Sequence, residues 1–325
     1  MALDPAPSNN WAERPTPDEL ERQKAFSDAI VAMQSGLNRK FGPGRAFHRQ
    51  QVAGLTGELR VTTDEPELRQ GLFADDGPWP VRIRLSHGAI APHADPLPDV
   101  HGFAMSVRDV DGPGALADRT DRQDFLMINL PAFGFRTSED FAPVALARGQ
   151  VGVAKELISA RGLVRGPFEM ARLAVAALRP FTGFATTSFH TAAPIRFGPY
   201  AAKLRLVPID AGLNLTAITD YAGDIADRLA DGPLQYDLEA QFFLAEDVTP
   251  IEDLTSAWPQ DHSPYRVLAR LTVPRQDVRG DAGQTVAAEV EADRFDPWNA
   301  LAEHRPLGEV MRARKVAYYP SVQNR

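Results

Sequence analysis

The chain has 325 residues, with 35 basic and 43 acidic side chains, a net charge of -8 and no cysteine. The acidic balance argues against a nucleic-acid backbone as main partner, and without thiols there are no disulfides, iron–sulfur clusters or thiolate nucleophiles. A length prior suggests two domains, but β-rich folds of this size often form one unit.

The opening "MALDPAPSNNWAERPT" is Pro-rich, with neither a basic stretch nor an apolar core. It predicts no secretory signal, a cytoplasmic protein and a flexible arm over residues 1–16. A long helix follows. Thr16 is its expected N-cap, with Pro17 at the first helical position, Leu20, Ile30, Met33 and Leu37 near helical spacing, and a stop at Gly42-Pro43. From Leu55 the chain turns to short β-type runs, "LTGELRVT", "PVRIRLS", "GFAMSVRDV" and "DFLMINL", separated by Gly, Pro and Asp. Residues 138–180 read as helical. Overlapping their end, "GPFEMARLAVAALRPFTGF" is broken by Arg172 and Arg179 and is too short to span a bilayer, so it predicts a core-facing helix. Further β runs, "AAKLRLVP", "YDLEAQFFL" and "YRVLARLTVP", flank a helix at "DYAGDIADRLA". Strand runs interrupted by a helical block predict an α+β fold with a largely antiparallel sheet. No repeat or linker divides it, which predicts one domain over 1–325.

Several constellations carry chemistry. In the tail, helical spacing sets Arg314 and Tyr318 one turn apart on one face. Pro320 is expected to end that helix and turn Tyr319 away. Tyr319 offers a competing register with Lys315 one turn before it. A guanidinium beside a phenol favours the phenolate, an anionic ligand able to hold ferric haem iron; an ordinary packed tyrosine has the same spacing. In "RAFHRQQVAG", Arg45 and His48 precede a strand, and a histidine can move a proton between two atoms of one substrate. Alternation in "PVRIRLSHG" sends Val81, Ile83 and Leu85 to one face and Arg82, Arg84 and Ser86 to the other. That second face is either a solvated strand surface or a pocket wall whose arginines await carboxylates. Asn129 lies in an apolar run, as a buried amide that needs partners or as a cap for the turn at Pro131. His87, His93, Asp95, Asp99 and His101 crowd one segment, but their spacing fits no zinc pattern, and a surface loop is expected.

Taken in order, "RAFH", "VRIRLS", "DVHGFAMSV", "DFLMINLPAF", "RFDPWN" and "RARKVAY" followed by a closing arginine resemble the catalase superfamily over nearly the whole chain. "HRPLG" before the last motif, "IRFGPYAAKLRL" and "TPIEDLTSAWPQDHSPYRVLARLTVPRQD" are similar to small bacterial catalase-related haem proteins. The resemblance implies an antiparallel β-barrel with surrounding helices and haem b inside, lacking the C-terminal helical domain of large catalases. It implies Tyr318 as axial ligand to the haem iron, Arg314 as its neighbour, and Arg45, Arg84 and Arg325 as partners of the haem propionates. His48 becomes the distal histidine, oriented by Ser86, with Asn129 as distal amide and Phe133 and Phe141 lining the pocket. The implied activity is cleavage of the O–O bond of hydrogen peroxide or organic hydroperoxides, with a small organic electron donor. A fatty-acid hydroperoxide isomerase or lyase and a haem-free scaffold are the alternatives. Large catalases are tetramers, so a homo-oligomer is an expectation, though the short arm suits a dimer or a monomer equally.

Overall fold

Among the described residues there are nine strands, seven of them where the β-type runs predict them and two short ones, Phe189–His190 and Ile195–Phe197, that no run predicts. They are β1 (Gln51–Val61), β2 (Trp79–His87), β3 (His101–Gly112), β4 (Thr120–Ile128), β5 (Phe189–His190), β6 (Ile195–Phe197), β7 (Tyr200–Pro208), β8 (Leu234–Phe242) and β9 (Arg266–Val273). Among the described residues the α-helices are α1 (Glu19–Phe41), α2 (Tyr221–Asp231), α3 (Asp281–Ala292) and α4 (Glu309–Gln323). The computed structural model describes residues 6–141, 181–209 and 212–324. The helical reading of 142–180 and the place of Arg325 lie outside these.

The strands pair antiparallel in the order β5-β4-β3-β2-β1-β9-β8-β7-β6, and β5 pairs with β7 as well as β4, which closes eight strands into a barrel with β6 appended. Period two decides what fills it. Val81, Ile83 and Leu85 of β2 stand level with Val107, Met105 and Phe103 of β3, all within 2% of full burial. With Phe125, Met127, Leu204, Leu206, Leu238 and Leu271 they form one apolar cluster, each side chain contributing roughly 1.5–3 kcal/mol by leaving water. The lumen is thus packed with apolar side chains, and Arg82, Arg84 and Ser86 emerge on the outer face.

The helices outside the barrel depart from the hydrophobic pattern. In α1 the buried positions are Glu19, Gln23, Ser27, Ile30 and Gln34, a mainly polar stripe at helical spacing, while Leu20 is 55% exposed. The stripe faces α4. Gln34 Nε2 donates to Ser321 O and to Gly44 O, and Asn38 Nδ2 donates to Asn324 O. The helix begins two residues later than expected, with Asp18 rather than Thr16 as N-cap, because Thr16 uses its hydroxyl on Asp18 Oδ1 and its carbonyl on Glu19 N. It stops at Gly42, at φ 81°.

Pro320 does not end the last helix, since α4 continues to Gln323. A proline there removes the N–H that would reach the Val316 carbonyl, and Ser27 Oγ of α1 donates to that carbonyl instead, at 3.3 Å. Residues 8–14 lie along the body. Ser8 N donates to Phe243 O, Trp11 Nε1 to Pro199 O, and Glu13 accepts from Arg305 and Arg312. Among the described residues no helix is long and apolar enough to cross a membrane.

Candidate functional site

His48 sits where the chain turns from α1 into β1, with a backbone φ of 50°. A β-unbranched residue pays a modest penalty in this left-handed region, and here both sides of the peptide are pinned. Its N–H donates to Gly88 O at 3.2 Å, and its carbonyl accepts from Arg84 Nη1 at 2.9 Å. The ring lies over the outer face of the barrel. Nδ1 is 3.1 Å from Ser86 Oγ, and Gly102, level with Ser86 on β3, lies directly beneath. A Cβ at Gly102 would come within 2.6 Å of His48 Nδ1 and 2.8 Å of Ser86 Oγ, so the His48–Ser86 pair requires glycine there. Burial, then the positive charges of Arg84, Arg314 and Arg45, push the His48 pKa down to about 4, against an opposing pull from Asp99. The imidazole is therefore neutral at physiological pH.

The arginines on this face find their carboxylates within the chain. Arg84 Nε donates to Glu291 Oε2 at 2.8 Å, and Arg45 Nη1 reaches the same carboxylate through Oε1 and the Glu291 carbonyl at 3.0 Å. Arg82 pairs with Glu289, and Arg108 and Arg122 with Asp293. All three acids come from α3 and its C-cap. That helix can lie close because β1 carries Gly54, where a Cβ would stand 2.8 Å from Ala287 Cα and 2.9 Å from Val290 Cβ. Three of the five N–H groups of Arg84 are engaged, by Glu291, His48 O and Arg49 O.

The tail approaches from the other side. Gln34 ties Ser321 of α4 to Gly44, the residue before Arg45. Arg314 Nη2 donates to the Tyr318 hydroxyl, and its guanidinium carbon lies 5.0 Å from the ring centre. The other contact of Arg314 is Met311 Sδ at 3.7 Å, and among the described residues no carboxylate pairs with it. Tyr318 is half-buried. Tyr319 is 61% exposed, with Arg294 5.9 Å from its ring centre.

Phe133 and Phe141 are 5.4 Å apart between centroids, in a cluster with Phe135, Phe47 and Phe26. Phe47 joins this cluster to the His48 segment. Asn129 directly follows β4. Its Oδ1 accepts from His101 N at 2.8 Å and its N–H donates to His101 O at 3.1 Å, the geometry of a strand-end clasp that leaves Nδ2 as donor. The segment from His87 to His101 is not an ordinary surface loop, because alternation along β2 and β3 turns both histidines into the barrel mouth, 0% and 1% exposed.

The sequence reading passed over Glu291, Asp293, Gly54 and Gln34. Their roles exist only once α3 and α4 are docked. Gly54 and Gly102 carried a signal, as glycines within strands.

No protein-family model matches the chain, and no curated protein matches it in sequence. Solved structures do. A fungal catalase superposes with a TM-score of 0.69 at 16% identity, over 100% of this chain and 66% of its own. Catalase A from Saccharomyces cerevisiae gives 0.68 at 15%, over 100% and 68%. A bacterial catalase gives 0.66 at 19%, over 99% and 64%. The chain has the catalase fold and spans about two thirds of the length of these catalases.

Proposed function

We propose that the chain is a haem-dependent enzyme that cleaves the O–O bond of peroxides. The observation that carries this reading is the half-buried imidazole of His48, oriented by Ser86 and within electrostatic reach of Arg314, which itself holds the Tyr318 hydroxyl. The donor set suits haem b. Arg314, without a carboxylate partner among the described residues, donates to the Tyr318 hydroxyl, the oxygen that would hold the haem iron. Tyr319, exposed and without the Arg314 contact, is not suited to that role. Arg45 and Arg84, which pair with Glu291, would hold the propionates by exchanging that carboxylate for them, with Arg325 as the third partner, and Phe133 and Phe141 would wall the pocket.

Haem b, when bound, supplies the ferric centre at which the peroxide is activated. The chain supplies the proton transfer. With Nδ1 turned to Ser86, His48 uses Nε2, taking the proton from the near oxygen of the peroxide and returning it to the departing oxygen, so that water or an alcohol leaves. Asn129 Nδ2 would donate to the peroxide as charge shifts between its oxygens. We assign organic hydroperoxides as the main substrates, with a small organic electron donor and modest dismutation of hydrogen peroxide. Side-by-side assays test this. Turnover of an organic hydroperoxide that depends on an added donor, alongside slow oxygen release from hydrogen peroxide, is expected. Rapid oxygen release with no organic turnover would overturn the substrate assignment, and hydroperoxide consumption without a donor would point to isomerisation.

A further inference from the structure

One cluster of metal-type ligands plays no part in that chemistry. At the mouth of the barrel, behind Ser86, the end of β2 meets the 88–100 connection, and His87, His93 and Asp99 bring one ligand atom each within 4.8 Å of one another. We propose that His87 Nδ1, His93 Nε2 and Asp99 Oδ2 form a binding site for a divalent metal of the zinc class that fastens this connection to the barrel.

The histidine tautomers point to it. His87 is wholly buried, and its Nε2 lies 2.9 Å from Asp95 Oδ1. Donation to that carboxylate leaves Nδ1 with a lone pair, and Nδ1 has no hydrogen-bond partner, facing Asp99 Oδ2 at 3.9 Å. A histidine that is held by a carboxylate on one nitrogen and presents the other is the arrangement of metal-ligating imidazoles. His93 stands between two acceptors, with Nδ1 2.9 Å from Ala94 O and Nε2 2.9 Å from Asp99 Oδ2. Both nitrogens must then carry protons unless a cation replaces the one on Nε2. Asp99 is itself anchored by the N–H groups of Gly88, Ala89 and Val100. The 2.9 and 3.9 Å separations bracket the roughly 3.3 Å between donors of a tetrahedral zinc site with bonds near 2.0 Å. Two imidazoles and one carboxylate favour zinc over calcium or magnesium, which prefer oxygen-only shells. His101, with both ring nitrogens unpartnered and its ring stacked on Phe181, closes the inner side.

Because Gly88 O also receives the His48 N–H, the ion would brace the backbone behind the candidate catalytic histidine. The test does not depend on haem. Untagged full-length protein is dialysed against chelator, titrated with zinc by calorimetry, and its retained zinc measured by elemental mass spectrometry. About one zinc per chain and a higher melting temperature are expected. His93→Gln, at the rim, should lose at least tenfold in zinc affinity, and Asp95→Asn, which keeps an oxygen for its neighbours, about tenfold to a hundredfold. Wild-type protein that binds no zinc overturns the proposal, and so does unchanged affinity in whichever of the two variants folds.

Discussion

His48 is held by contacts that single substitutions can remove one at a time. Gly102→Ala would drive a methyl into the imidazole and the Ser86 hydroxyl, so peroxide turnover should fall steeply while the barrel, judged by circular dichroism, stays folded. His48→Gln removes the proton shuttle, and a loss of about 10²- to 10⁴-fold in kcat is expected for a general acid–base residue. The pH profile gives a separate reading. With the His48 pKa lowered to about 4 by burial and neighbouring arginines, the acid limb of turnover should lie near pH 4, and a limb near 6.5 would mean that the ring is not the half-buried group described.

Elements carry the next layer of dependence. α3 reaches the site only because Gly54 lets Ala287 and Val290 touch β1. Gly54→Ala should cost about 1–3 kcal/mol through overpacking, measurable in urea, and should loosen the Glu291 hold on Arg45 and Arg84. At the far end of the same segment, Asp124 of β4 is buried and accepts from Ser106, Asp296 N and Asn299 Nδ2, yet burial outweighs these and lifts its pKa to about 7. An acid whose folded pKa is raised keeps its proton between about pH 4 and 7 while the unfolded chain releases it, so this group's contribution to stability falls as pH rises through that window. Asp124→Asn should flatten that part of the stability profile, since the Ser106 hydroxyl can turn to accept from the new amide. An unchanged profile would contradict the assignment.

The whole molecule shows how far its sequence could be read. Period-two runs located most of the strands of the barrel wall, because one face of each is uniformly apolar. The closure was hidden, since β5 is two residues long and carries no pattern. The tail pair Arg314 and Tyr318 was legible because helical spacing is local, whereas the α1 stripe of Glu19, Gln23, Ser27 and Gln34 reads as a solvent face until α4 is placed against it. The arginines of β2 looked like open ligands for the same reason, their carboxylates arriving from α3 some two hundred residues later.

The buried histidines set a global pH response. His48, His190 and His304 are lowered to about 4 and His101 to about 3, each chiefly by burial. The unfolded chain binds protons near pH 6.5 that the folded chain refuses, so stability from these groups is lost as pH falls from about 6.5 to 4. These four stand against Asp124 and His93, whose raised values act in the opposite sense. The melting temperature should therefore fall on acidification across this range, and a rise would refute the account of the buried histidines.

The most direct test of the central claim is the visible absorption spectrum of protein from haem-supplemented cells, recorded beside Tyr318→Phe and Tyr319→Phe. A Soret band with ferric high-spin features, lost or shifted in Tyr318→Phe and retained in Tyr319→Phe, is the predicted result. No Soret band even after hemin addition, or a band indifferent to Tyr318, would contradict the haem reading and leave a catalase fold serving another purpose.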